Sequence, residues 1–232
     1  MIDKKKNLLA YIVPEYVKTF HPVSSGLLVK KFHLNISPAT VRYQMAVLEK
    51  DHYIYRPHIS AGGIPTEKGY NFYVKNFLKK IKFSENKFGI LKKIKNKFKN
   101  RKEKKIKEIA KKVAEISQEA VIVLFNQEYA YITGLTNLAN KPEFKYSNFP
   151  CQLFSSLDYI EEKSSLLFQR LEEGEKIKIL IGQENPLGKE CSIIFTPCRI
   201  FPEEKSLFSL VGPMRMDYDN NVALIEYISN LL

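Results

Sequence analysis

The sequence has no tryptophan, only three cysteines and four histidines among 232 residues, and no extended apolar segment. Cys151, Cys191 and Cys198 are odd in number and lack C-x-x-C spacing, which argues against a disulfide framework and a zinc ribbon. All four histidines precede residue 60, far in sequence from the cysteines, so neither a His/Cys metal site nor any cofactor is expected. Free thiols suit a reducing compartment, and a cytoplasmic protein is expected. The longest apolar run, Ala120 to Phe125, is far short of the roughly 20 residues that span a bilayer. Lys4-Lys5-Lys6 is not followed by an apolar stretch adequate for a signal peptide. There is no G-x-x-x-x-G-K-[ST] and no H-E-x-x-H. Glu143 and Glu184 are carboxylates of the kind that act in acid/base pairs. No nucleophile, base or phosphate loop stands near them at motif spacing, so catalysis is not expected.

Charge is abundant and unevenly placed. The net charge is +12, and it divides into +5 over residues 1–74, +14 over 75–112 and −7 over 113–232. A basic front and an acidic back suggest that the front meets a polyanion. Hydrophobic residues make up 44% of the chain, enough for a substantial core.

Residues 4–20 carry Leu8, Leu9, Ile12, Tyr16 and Val17 near helical spacing, with Pro14 expected to kink or split the helix. Ser24 or Ser25 caps a second helix to about Phe32, with Leu27 and Leu28 turned inward. After the Asn35-Ile36 turn, Ser37 caps a third helix and Pro38 fits its first position. Val41, Met45 and Leu48 form its packed face, which leaves Thr40, Arg42, Tyr43 and Gln44 turned partly outward near its start. Tyr53-Ile54-Tyr55 is a short strand, and Arg56 to Gly63 forms a wing whose paired glycines permit a tight reversal before Ile64. Thr66 caps a fourth helix reaching Leu78. This order predicts a winged helix-turn-helix, in which the start of the third helix reaches base edges.

The expected DNA-contacting residues are Ser37, Thr40, Arg42, Tyr43, Gln44, Arg56, His58, Ser60 and Lys68. Arg42 suits bidentate donation to guanine O6/N7, a phosphate contact, or a plain surface salt bridge. Gln44 can read adenine, Thr40 can touch a phosphate or a thymine methyl, and Tyr43 can stack on sugar or pack on the wing. Arg56, His58 and Ser60 can approach phosphates or the minor groove, and His58 can instead pin the loop internally.

Residues 75–112 hold seventeen Lys/Arg against three Asp/Glu, with apolar residues recurring irregularly every three to four positions. They read as one or two amphipathic helices: either a DNA-backbone or dimerisation arm, or a solvated basic linker. The last 120 residues read as α+β. A hairpin through Asn126-Gln127 joins strands Val121–Phe125 and Glu128–Thr133, and a helix over Leu157–Glu173 ends at Gly174. Strands follow at Ile177–Ile181, Ser192–Thr196 and Ser206–Val211, with a final helix over Asn221–Leu232. Arg215 and Asp217 suggest a polar pair, either a ligand site or an internal salt bridge; Asp217 also sits where it can cap the last helix.

Three blocks give the chain a resemblance. They are His21-Pro22-Val23-Ser24 with Ser37 to Met45 and Leu48-Glu49; His58 to Tyr73; and a C-terminal set. The last comprises Gly134 to Leu138, Pro142-Glu143-Phe144, Ile181 to Asn185 and, above all, Gly212-Pro213-Met214-Arg215-Met216-Asp217-Tyr218. Together they resemble the HrcA family of heat-inducible transcription repressors. The resemblance implies a winged-helix DNA-binding domain, placed at 1–74, and a GAF-like C-terminal α/β domain, placed in reduced form at 116–232; the lysine-rich helical arm or linker (75–115) read from the composition stands between them. It also implies a homodimer on double-stranded DNA at an inverted-repeat operator ahead of chaperone genes, coupled to the GroE chaperonin. The chain departs from the family where Gly63 and Asn71 stand for arginines and Tyr43 for an asparagine, and its middle is short. A wing lacking the arginine at 63 is expected to lean more on Lys68 and the lysine arm. The competing expectations are a ligand-sensing regulator and a protein that binds nucleic acid without sequence preference.

Overall fold

The structure is a computed structural model that describes residues 6–58, 60–79, 81, 85–97, 102–146, 149–171, 174–201 and 205–232. It is a mixed helix-and-sheet chain in two compact units, Met1–Lys79 and Lys80–Leu232.

In the first unit a 3-10 turn, Lys6–Leu8, runs into α1 (Leu9–Thr19). Pro14 lies inside α1 without ending it. Leu9, Ile12, Val13 and Tyr16 are buried along one face, and that packing holds the helix through the N–H that proline lacks. Phe20 closes α1 in the left-handed region (φ 56°), its N–H donating to the Tyr16 carbonyl. The second helix, α2 (Ser25–Phe32), is capped by Ser24, whose Oγ accepts from the Leu27 N–H at 3.2 Å. Leu28 is fully buried, but Leu27 is 39% exposed, so only one of the two expected core leucines faces inward. The third helix, α3 (Pro38–Lys50), buries Val41, Met45 and Leu48.

Two short strands follow, β1 (Ile54–Tyr55) and β2 (Ile64–Pro65), paired antiparallel with Ile54 opposite Pro65 and Tyr55 opposite Ile64. Val23 bridges to Gly63 beside them. Thr66 then caps α4 (Glu67–Phe77), accepting from the Gly69 N–H at 3.2 Å while its hydroxyl donates to the His52 carbonyl at 2.6 Å. Gly62 and Gly63 are not in the left-handed region. A Cβ on Gly62 would lie 2.4 Å from the Val23 carbonyl carbon, so this glycine serves a close backbone approach and not the expected reversal.

The second unit opens with α5 (Glu85–Lys97) and α6 (Lys102–Ser117). Leu91 on α5 is fully buried, and Ile106, Ile109, Ala110, Val113 and Ala114 form a continuous buried stripe on α6. Among the described residues, α5 and α6 of the lysine-rich segment thus place apolar side chains in the core of the second unit. The sheet holds β3 (Ala120–Leu124), β4 (Ala130–Thr133), β5 (Lys178–Ile181), β6 (Cys191–Cys198) and β7 (Ser206–Pro213), all antiparallel, in the order β4-β3-β7-β6-β5.

Between β4 and β5 come α7 (Leu135–Ala139), α8 (Glu143–Tyr146), α9 (Phe149–Asp158) and α10 (Ile160–Gln169), and α11 (Tyr218–Leu231) ends the chain. Leu138, Leu153, Ile160 and Leu167 pack on the face carrying Ile122, Ile193, Phe195 and Val211, while α6 and α11 cover the other face. Burial from both sides explains why β3 reads as an unbroken apolar run. The single helix expected over 157–173 is two: the chain breaks at Tyr159, so that Leu153 and the Ile160–Leu167 stripe both reach the core. Glu172 and Glu173, in the expected last turn, lie outside the described residues. Helix α11 starts three residues earlier than expected because Asp217 caps it, accepting from the Asn220 N–H at 3.2 Å. Among the described residues no helix is long and apolar enough to cross a membrane.

Candidate nucleic-acid interface

The start of α3 is built by its own sequence. Ser37 Oγ accepts from the Thr40 N–H at 3.1 Å and lies 2.9 Å from the Thr40 hydroxyl, and Pro38 occupies the first turn. No acidic residue neutralises that turn, so the positive end of the helix dipole faces outward. Opposite the Val41–Met45–Leu48 face, Ala39, Arg42, Tyr43 and Ala46 form one exposed face, with Tyr43 64% exposed. The two alanines were not among the expected contacts. Their spacing with Arg42 is the signal, since small side chains let a helix approach a groove and contact thymine methyls. Ser37 and Thr40 are exposed but occupied in the cap, and Gln44 is half-buried on the flank.

The loop residues separate into different roles. Arg56 Nε donates to Glu49 Oε2 at 2.7 Å, and a terminal guanidinium nitrogen reaches the same oxygen. The Arg56 hydrogen bond holds the Glu49 carboxyl below the usual carboxylate range. His58 and Ser60 are exposed at the tip, where the His58 carbonyl accepts from the Ala61 N–H at 2.9 Å; Ile59 lies outside the described residues. Gly63 is buried, and a Cβ there would stand 2.7 Å from Ile54 Cδ1, so position 63 faces the core. Lys68 sits away from the loop, donating to the Asp51 carbonyl at 2.9 Å and lying 4.6 Å over the Tyr53 ring.

On the second unit, α6 and β4 flank an open groove of about 720 Å³ lined by Lys102, Lys104, Lys107, Lys111, Tyr131 and Phe201. Its charge is partly cancelled: Lys107 pairs with Glu103, Lys111 with Glu108 at 2.9 Å, and nearby Lys112 with Glu115 at 2.6 Å. A partly buried polar cluster lies elsewhere in the same unit. Arg215 pairs bidentately with Glu143, at 2.6 and 3.1 Å, while Asp217 serves as the α11 cap. The expected Arg215–Asp217 pair thus divides into two separate structural roles. Glu184 is exposed. Glu119, which sequence reasoning passed over, is 2% exposed and paired with Lys141. The Tyr218 hydroxyl lies 2.7 Å from Ser192 Oγ and donates to the Met214 carbonyl at 2.6 Å. Burial pushes both the Cys191 and Cys198 thiols up to about 12, which favours the neutral thiol over the nucleophilic thiolate.

Residues 68–222 match the model of the HrcA protein C-terminal domain. The heat-inducible transcription repressor HrcA of Pelotomaculum thermopropionicum is 34% identical over 147 residues, 63% of this chain and 38% of that protein. The chain therefore spans well under half of that relative's length in this match. The HrcA of Carboxydothermus hydrogenoformans is 25% identical over 335 aligned positions, covering all of this chain and 97% of the relative. Because the chain has 232 residues, that relative carries segments without counterpart here. The crystal structure of a hypothetical protein superposes with a TM-score of 0.73 at 20% identity, over 99% of this chain and 97% of that one. That likeness shows a shared fold. With a family model covering two thirds of its residues and the Gly212–Tyr218 segment anchoring a partly buried polar cluster, the chain belongs to the HrcA family.

Proposed function

We propose that Met1–Lys79 is a winged-helix DNA-binding domain and that the chain is a transcriptional repressor of heat-shock genes. The observation that carries this reading is the exposed face of α3, Ala39–Arg42–Tyr43–Ala46, standing on a buried Val41–Met45–Leu48 face behind a capped, uncompensated helix start. A helix so presented lays its first turns in a major groove, and the loop between β1 and β2 follows as the wing. Arg42 supplies bidentate donors to guanine or phosphate, and Ala39 and Ala46 supply close apolar approach. Two such helices in a homodimer would occupy the half-sites of an inverted repeat ahead of chaperone genes and obstruct polymerase. The antiparallel sheet with helices on both faces supports a GAF-like reading of the second unit, reduced relative to longer relatives. Dimerisation, coupling to the GroE chaperonin, a cytoplasmic location and the lack of a catalytic step belong to the same proposal.

The rival of purely electrostatic, sequence-independent binding through the lysine-rich segment is tempered on α6, where Lys107, Lys111 and Lys112 are each paired with a glutamate, although residues 75–112 keep their net charge of +14. The test is Arg42→Ala, assayed by fluorescence anisotropy on an inverted-repeat duplex from upstream of the host's chaperonin genes and on a scrambled duplex. We expect a loss of about 1–3 kcal/mol on the operator. A loss confined to the operator marks a base contact. A uniform loss with a shallower salt dependence marks a phosphate contact. Unchanged binding to both removes α3 from the interface.

A further inference from the structure

We infer that Glu49 and Arg56 form a strut that sets the angle of the loop 56–63 against α3, so that Arg56 is a positioning residue and not a phosphate ligand. This rests on the DNA-binding reading and assigns within it a residue that the sequence suggested for contact with phosphates or the minor groove.

The loop needs such a device. The strands that carry it are two residues each, with two register pairs, and a ribbon that short does not define its own direction. The turn before it is firmly tied. Tyr53 N–H donates to the Leu48 carbonyl at 2.8 Å, the Thr66 hydroxyl to His52, and Lys68 to Asp51. Beyond β1, the loop's far end is held by the Val23–Gly63 bridge, with both N–H···O distances 2.9 Å. Arg56 stands where the near end leaves β1, and Glu49 lies in the last turn of α3, seven residues earlier. Their contact joins the outgoing end of the loop to the helix that carries the reading face.

The chemistry of the pair also argues against phosphate binding. Nε and one terminal nitrogen converge on a single Glu49 oxygen, and both side chains are partly buried, 21% and 33% exposed. The guanidinium is compensated by a carboxylate that stays ionised at neutral pH. A neutral pair offers a phosphate little attraction, and the Glu49 charge repels it. Partly exposed ion pairs also add little to stability, so the pair's contribution is to geometry.

The experiment compares the full chain with Glu49→Gln, Arg56→Gln and the double variant, using the same operator and scrambled duplexes at several salt concentrations, alongside thermal melts. Each single variant is expected to weaken operator binding about tenfold. Scrambled-duplex affinity, salt slope and melting temperature should stay close to wild type, and the double variant should be no weaker than the worse single one. A rise in affinity for Glu49→Gln overturns the proposal. So does a fall in salt slope of about one for Arg56→Gln with equal losses on both duplexes, because either marks Arg56 as a phosphate ligand. Operator binding unchanged in both single variants overturns it as well. Failure of the underlying reading is separately visible, as a wild-type chain that does not distinguish the duplexes.

Discussion

Glu119→Gln is expected to stabilise the Lys80–Leu232 unit by about 3 kcal/mol at pH 8 and to have little effect near pH 4.5. Glu119 sits between α6 and β3, 2% exposed, with the Lys141 ammonium on Oε1. Among the described residues its other carboxylate oxygen has no hydrogen-bond partner, and it is packed against Gly212, where an added Cβ would stand 2.2 Å away. Burial is the dominant influence and pushes the carboxyl up to about 7, from an ordinary 4.5, against the downward pull of Lys141 and Arg215; Glu143 adds to the upward push. Between those two values the folded chain keeps a proton that the unfolded chain has lost. The contribution of Glu119 to stability is therefore full below about pH 4.5, declines as the pH rises to about 7, and is flat beyond. Glutamine cannot ionise, and neutral Glu119 already forgoes the Lys141 ion pair, so the comparison is with the same uncharged state. The measurement is scanning calorimetry of both proteins from pH 4.5 to 8, reading the transition of the second unit. The difference in stability should open with rising pH, and parallel curves would overturn the assignment. Using the difference removes the opposite trend of carboxylates such as Glu49, whose range is lowered by its arginine.

Gly62→Ala is expected to cost the Met1–Lys79 unit about 2–4 kcal/mol, a fall in melting temperature of about 10 °C or more. The added methyl would meet the Val23 carbonyl carbon and oxygen at 2.4 and 2.5 Å and the Pro22 carbonyl carbon at 2.6 Å. All three are backbone atoms, so no rotamer change relieves the clash. Relief requires parting Val23 from the segment that Gly63 bridges, which also frees the far end of the loop 56–63. Gly26→Ala is the matched control. It lies in α2 with nothing within 4 Å of the added methyl, and the substitution should stabilise by up to about 1 kcal/mol. A Gly62→Ala chain that melts with wild type would mean that the Val23 apposition is not tight.

These two sites show where legibility in the sequence ends. The caps at Ser24, Ser37, Thr66 and Asp217 are local chemistry, each bonding an N–H three residues on, and their positions were readable. The packed face of α3 followed from helical spacing. Long-range approaches were not readable. The need for glycine at 62 comes from Val23, and at 69 from the Tyr53 carbonyl, which a Cβ would meet at 2.2 Å. Glu119 carries no motif that would single it out in a region of net charge −7. Its only local mark is that it immediately precedes the buried run of β3. The apolar recurrence along α5 and α6 was readable as amphipathic helices, but spacing alone does not say which core the stripe joins. The pairing of Arg56 with Glu49 was not readable because the two lie across a turn that spacing rules do not connect.

The central claim, that this chain reads DNA sequence through α3, is tested most directly by fluorescence-anisotropy titration of the wild-type protein. The inverted-repeat duplex from upstream of the host's chaperonin genes is compared with a scrambled duplex of the same length and composition, across a range of salt. The account predicts a preference for the operator of at least about a hundredfold at physiological salt, within the span typical of specific binders. Equal affinities that fall together and steeply with salt would contradict it, reducing the interaction to attraction for the phosphate backbone.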